Sequence, residues 1–185
     1  MNQTLDQSDH CFRRNRCGRA ALLALLWITF ILAGCGGSGS SPGLETVVIK
    51  GETFTLELAA DDAARELGLK HRASIPDAGG MLFVFPDSKV SVQSFWMHEC
   101  LVDMDIIYLD RRGTVTATYR MKARPLRQNG ESEAEYQQRM RGDDYSSAYP
   151  AQFAIELKAG TIDRLNVRVD DRIALDVARL KAMAR

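Results

Sequence analysis

The chain has 185 residues, room for one domain but not comfortably for two. Its 24 basic and 24 acidic residues balance, which argues against a nucleic-acid binder, because such proteins carry a basic excess or stripe. Hydrophobic residues make up 45% of the chain, an ordinary share for a packed core. Of the four cysteines only Cys100 lies beyond residue 35, so the folded part has no pair for an internal disulfide.

Residues 1–34 read as an export signal. Arg13, Arg14, Arg16 and Arg19 precede an uncharged apolar run at residues 20–33. That run is shorter than the roughly 20 residues a spanning helix needs, so it fits a signal-peptide core. It ends in Leu32-Ala33-Gly34-Cys35, which resembles a bacterial lipobox. Small residues there admit the signal peptidase, and the Cys35 thiol takes a diacylglycerol. Two or three acyl chains then give stable anchoring. Residues 35–45 are expected to hold the lipidated cysteine and a Gly/Ser tether with nothing to bury. Gly36 stands where an inner-membrane retention signal would place Asp. The expected address in a two-membrane cell is therefore the periplasmic face of the outer membrane.

Residues 46–185 read as one globular domain. Two short apolar runs at 47–49 and 54–58 flank Gly51-Glu52 and predict a hairpin. Residues 61–68 predict a short helix, opened by Asp61 and Asp62 and closed by Gly68. The continuous apolar run at 81–85 predicts a buried strand ended by Pro86. Further strands are predicted at 94–97, 105–110 and 114–119, with a turn at Arg111-Arg112-Gly113. Residues 121–148 are densely charged and predict an exposed insertion carrying one helix, opened by a capping box at Ser132 and Glu135. Strand patterning returns at 152–157, 165–169 and 173–177, and residues 178–185 predict a short terminal helix. Eight or nine short strands with one or two helices imply a mainly β to α+β domain. Its expected form is a compact antiparallel sheet or small barrel.

Several motifs occur in a telling order: Gly68-Leu69, then Gly80-Met81-Leu82-Phe83-Val84-Phe85, Phe95-Trp96-Met97 and Asp105-Ile106-Ile107-Tyr108-Leu109-Asp110. Pro150-Ala151, Ile155-Glu156-Leu157, Ala159-Gly160-Thr161 and Val169-Asp170-Asp171 follow. From about residue 54 to 177 the chain resembles the DUF192 family, small bacterial and archaeal domains without an established activity. Members often carry an export signal or lipobox, so the resemblance implies a fold and a motif rather than a reaction. The chain departs from the family pattern at Lys70, at His98-Glu99-Cys100 and at Asp103, and its charged insertion is longer than in short members.

The candidate ligand-binding residues are Trp96, Met97 and Asp105. Trp96 would form the aromatic floor of a pocket and Asp105 would orient the ligand. The plainer alternative puts Phe95, Trp96 and Met97 in the core, with Asp105 accepting hydrogen bonds from a turn. In an extended segment Trp96, His98 and Cys100 would share one side, and Phe95, Met97 and Glu99 the other. A thiolate–imidazole pair or a metal site would need more groups than these, so no metal or cofactor is expected. The leading functional expectation is a tethered envelope module binding a small molecule, a glycan or a protein partner. The competing expectation is an envelope hydrolase or metal-dependent enzyme using Asp105 with His98 and Cys100. A purely structural role is the third.

Overall fold

Alternating apolar and polar residues produce the first hairpin. β1 (Leu44–Ile49) and β2 (Glu52–Ala59) pair antiparallel, with Val47 opposite Phe54 and Ile49 opposite Glu52. Lys50 and Gly51 form the turn, both with positive φ (51° and 86°), as a tight two-residue hairpin loop requires. Val47, Ile49, Phe54 and Leu56 are buried, whereas Val48, Thr53 and Thr55 face outward. The computed structural model describes residues 43–141 and 145–185. The predicted export signal and Cys35 lie outside those residues, as does nearly all of the tether.

The remaining strands are β3 (Gly79–Val84), β4 (Ser91–Phe95), β5 (Met104–Leu109), β6 (Val115–Met121), β7 (Tyr145–Ala151) and β8 (Phe153–Lys158). Six of the eight make one sheet in the order β1-β2-β3-β8-β5-β6, and β4 pairs with β7 in a second, two-stranded sheet. The central strands β3, β8 and β5 are covered on both faces, which is why they read as continuous apolar runs rather than alternations. On one face Met81, Phe83, Met104, Ile106, Tyr108 and Ala154 form a core. On the other, Leu82, Val84, Ile107, Leu109, Phe153 and Ile155 form a second core with the hairpin. At Gly80 a Cβ would meet the Glu156 carbonyl oxygen at 2.1 Å, so only glycine lets β3 and β8 approach.

Helix ends follow local chemistry. In α1 (Asp62–Leu67) the Asp61 carboxylate caps the Ala64 N–H at 2.9 Å, and Gly68 turns the chain out with φ 51°. In α2 (Glu133–Met140) the predicted capping box is present, with Ser132 and Glu135 bonding reciprocally. The last two helices are α3 (Thr161–Leu165) and α4 (Val177–Met183).

The domain is α+β and mostly β, as expected, but four details differ from the sequence reading. The sheet is mixed, because β2 and β3 run parallel; residues 60–78, with α1, supply the crossover a parallel pair needs. Among the described residues β1 and β6 share no ladder, so the sheet does not close into a barrel. Among the described residues four short α-helices stand where one or two were expected. The strands expected at 165–169 and 173–177 do not form: Leu165 ends α3, Asn166 takes a left-handed C-cap, and only an isolated bridge joins Thr114 to Arg172. Val167 and Ile173 are instead apolar anchors of a loop lying over the second core, with backbone bonds to Gly113 and Val115.

The charged segment also differs. It is not a solvated appendage, because Tyr136 and Met140 are 1% and 0% exposed and join the first core. Its end is β7, unread because Pro150 and small polar residues mask a strand that pairs with β4. The test is Met140→Ala, which should lower stability by about 2–5 kcal/mol as a core truncation does. Urea unfolding measures it, and a loss below about 0.5 kcal/mol would return the helix to solvent.

Candidate functional site

β4 ends at Phe95, and the chain then turns rather than extending. Glu99 has φ 58°, and the Cys100 N–H donates to the Met97 carbonyl at 3.3 Å. Trp96, His98 and Cys100 still line one cavity together, as the alternation placed them, and Met97 is buried in the adjoining core at 1% exposure; Phe95 departs from the pattern by lining the cavity too. Phe83 and Phe85 from β3 and its end, with Leu67 at the end of α1 and Gly68 and Leu69 after it, complete the apolar part of the walls. The volume is about 420 Å³, within the range of small-molecule sites.

Aromatic stacking fixes one wall. The Trp96 and His98 rings lie nearly parallel at 4.8 Å, and His98 meets Tyr136 of α2 at 4.8 Å on a 34° tilt. Arg141 lies 6.0 Å from the Trp96 ring centre. His98 Nε2 lies 3.0 Å from the Glu133 carboxylate, and Glu99 lies 3.4 Å from Nδ1. The Tyr136 hydroxyl accepts the Glu99 N–H at 3.1 Å. Gln137 first, and His98 after it, hold the Glu133 carboxyl below its ordinary range. The charged segment thus braces the wall that carries Trp96.

Asp105 does not join Trp96. On β5 the neighbours Met104 and Ile106 face the first core, so Asp105 points with Ile107 to the second. There it is fully buried, and its Oδ2 accepts the Ile162 N–H of α3 at 2.8 Å. His98 and Asp105 consequently stand on opposite sides of the sheet and cannot act on one substrate atom.

The acid that does reach the cavity is Glu156 of β8. It is 5% exposed, lines the cavity, and its Oε2 has no hydrogen-bond partner among the described residues. Burial pushes its carboxyl up to about 8, so at neutral pH it holds its proton. Burial, and then Glu156, push the Cys100 thiol up to about 12, against a smaller opposite effect of Lys70. A thiol so placed is not a thiolate nucleophile at neutral pH. Among the described residues no three His, Cys, Asp or Glu side chains gather as a metal set. Sequence reasoning passed over Glu156 as a family motif residue. Its signal was an acid inside the apolar run of β8, where a charge is out of place.

The raised carboxyl has a sign that can be tested. Between its ordinary value of 4.5 and about 8 the folded protein holds a proton that the unfolded chain has lost. The stability this gives is whole below about 4.5 and disappears as pH rises through about 8. Relative to Glu156→Gln, the wild type should lose on the order of several kcal/mol across that window. Urea unfolding of both proteins at a series of pH values measures it; parallel curves would mean that the carboxyl ionises freely in the folded state.

No curated protein matches the chain. A crystal structure from Sinorhizobium meliloti, of a protein provisionally named a transcription regulator, is 29% identical. It aligns with a TM-score of 0.56 over 72% of this chain and 95% of its own. A Novosphingobium aromaticivorans protein of unknown function is 22% identical, with a TM-score of 0.57 over 75% of this chain and 89% of its own, and shows the fold alone. A family model described as DUF192, uncharacterized ACR, matches residues 45–175. That span takes in the first core, all of the second but Leu180, and the cavity, and the chain belongs to the DUF192 family.

Proposed function

We propose that the protein is a lipid-anchored envelope module that binds a small molecule in the cavity beside Trp96. The observation that carries the reading is the cavity itself, about 420 Å³, with aromatic walls and the buried, unpartnered Glu156 carboxyl within it. Apolar walls with a few convergent polar groups are what small-molecule sites are made of. Trp96 is the residue of the original three that serves this role; Met97 supports it from the core, and Asp105 caps α3.

The anchor rests on the leader: a basic flank, a short apolar run, and Leu32-Ala33-Gly34-Cys35 followed by a Gly/Ser tether. Cys35 carries the lipid in this reading, and the periplasmic face of the outer membrane is the address. An enzyme using Asp105 with His98 and Cys100 has no geometric support, since the acid faces away and the thiol is protonated. The name of the Sinorhizobium relative is not carried over, because balanced charge gives this chain no phosphate-seeking surplus.

Mass spectrometry of the protein taken from its membrane tests the ligand. A retained small molecule should appear under native conditions, vanish under denaturing ones, and fall in occupancy in Trp96→Ala. A bare mass under both conditions would remove tight binding. The anchor is tested separately. Cys35→Ala should abolish incorporation of labelled palmitate and leave the chain unprocessed on a gel; undiminished labelling would remove the lipobox reading.

A further inference from the structure

Resting on the cavity reading above, we propose that the ligand is an uncharged molecule with an aromatic or aliphatic body whose carbonyl or amide group hydrogen-bonds the Glu156 carboxyl. The apolar part of the cavity lining is built mainly from Phe83, Phe85, Phe95 and Trp96, and polar side chains form the rest. It favours a ligand body that leaves water, and Phe83 and Phe95 are already locked edge to face at 4.9 Å. Among the described residues, two side chains of the lining have a buried polar atom with no hydrogen-bond partner, Glu156 at Oε2 and His98 at Nδ1, and Glu156 is the acid of the two. A buried polar atom without a partner is costly, so a ligand that satisfies it gains selectivity over one that does not.

The charge of the ligand follows from the cations of the lining. Arg65, Lys70 and Lys89 are each held by a carboxylate, with Arg65 and Lys89 sharing Asp62. Lys70 meets Glu66 at 3.1 Å, Lys89 meets Asp62 at 2.5 Å, and Arg65 also bonds Asp62 and the Val84 carbonyl. An anionic ligand would have to break one of these pairs. A cationic ligand would have to ionise Glu156 where burial opposes it. A neutral acid is a donor and an acceptor at once, and an amide presents the complementary acceptor and donor. Cys100, also protonated, adds no charge beside it.

Two matched probes separate the possibilities: naphthalene-2-carboxamide, which is neutral, and 2-naphthamidinium, its cationic counterpart. Ligand-observed NMR would follow both against the full-length protein in lipid nanodiscs, with empty nanodiscs as reference. The carboxamide should bind saturably at about pH 6 and at least tenfold more weakly at about pH 9.5, where the acid has lost its donor proton. Glu156→Gln should retain binding and abolish that pH dependence, because its amide still donates and accepts. Glu156→Leu should weaken binding by about 5-fold to 100-fold. Equal affinity in Glu156→Leu would overturn the assignment of Glu156. Tighter binding of the amidinium, growing as pH rises, would overturn the neutral ligand class and leave the cavity reading standing. Saturable binding of neither probe would overturn both.

Discussion

Three strands with no solvent face, β3, β8 and β5, impose the condition under which everything else in the domain is arranged. A polar side chain on such a strand cannot turn to water, and each must find another answer. Asp105 receives the Ile162 N–H at the start of α3 and so ties the C-terminal segment to the sheet. Gln152, at the entry to β8, donates its side-chain amide to the Phe85 carbonyl and clasps two adjacent strand ends. Glu156 has neither solution, and remains a protonated acid at the cavity wall. The same burial that made these residues resemble one another in sequence gave them three different physical fates.

The part of the fold carried by local chemistry was legible. The hairpin alternation, the Asp61 cap and the Ser132–Glu135 box each need only a few neighbouring residues, and each stands where the pattern placed it. Errors gathered where a residue's role depends on distant packing. Val167 and Ile173 carry strand-like spacing, yet they serve as plugs for the face opposite the cavity; the Val167 N–H donates to the Ile162 carbonyl of α3 and the Ile173 N–H to the Gly113 turn, instead of to a strand. The parallel pairing of β2 with β3 is a property of a crossover, to which alternation within either strand is blind.

The site was legible to a similar degree. Trp96 announced itself by size and setting. Asp105 was drawn in by its proximity in sequence, but strand parity sends it to the far face once β5 begins at Met104. Glu156 was audible only as a discordant acid among apolar neighbours, and its meaning needed the knowledge that β8 is central rather than peripheral. Glu99 illustrates the limit most plainly. Its left-handed φ turns the chain just after Trp96, and no pattern in Met97-His98-Glu99-Cys100 signals that turn.

The brace between α2 and the Trp96 wall divides the domain into parts with different freedom to evolve. The paired strands must keep their registers, and Gly80 leaves no room for a side chain. α2 meets the wall through Tyr136 on His98 and on the Glu99 backbone, without lining the cavity or entering any ladder of the six-stranded sheet. Changes of length or composition there can tilt the Trp96–His98 stack while the sheet stays as it is. A lineage could in this way retune what the cavity accepts by editing the exposed positions of this segment while keeping its buried anchors Tyr136 and Met140, leaving the scaffold's own folding problem already solved.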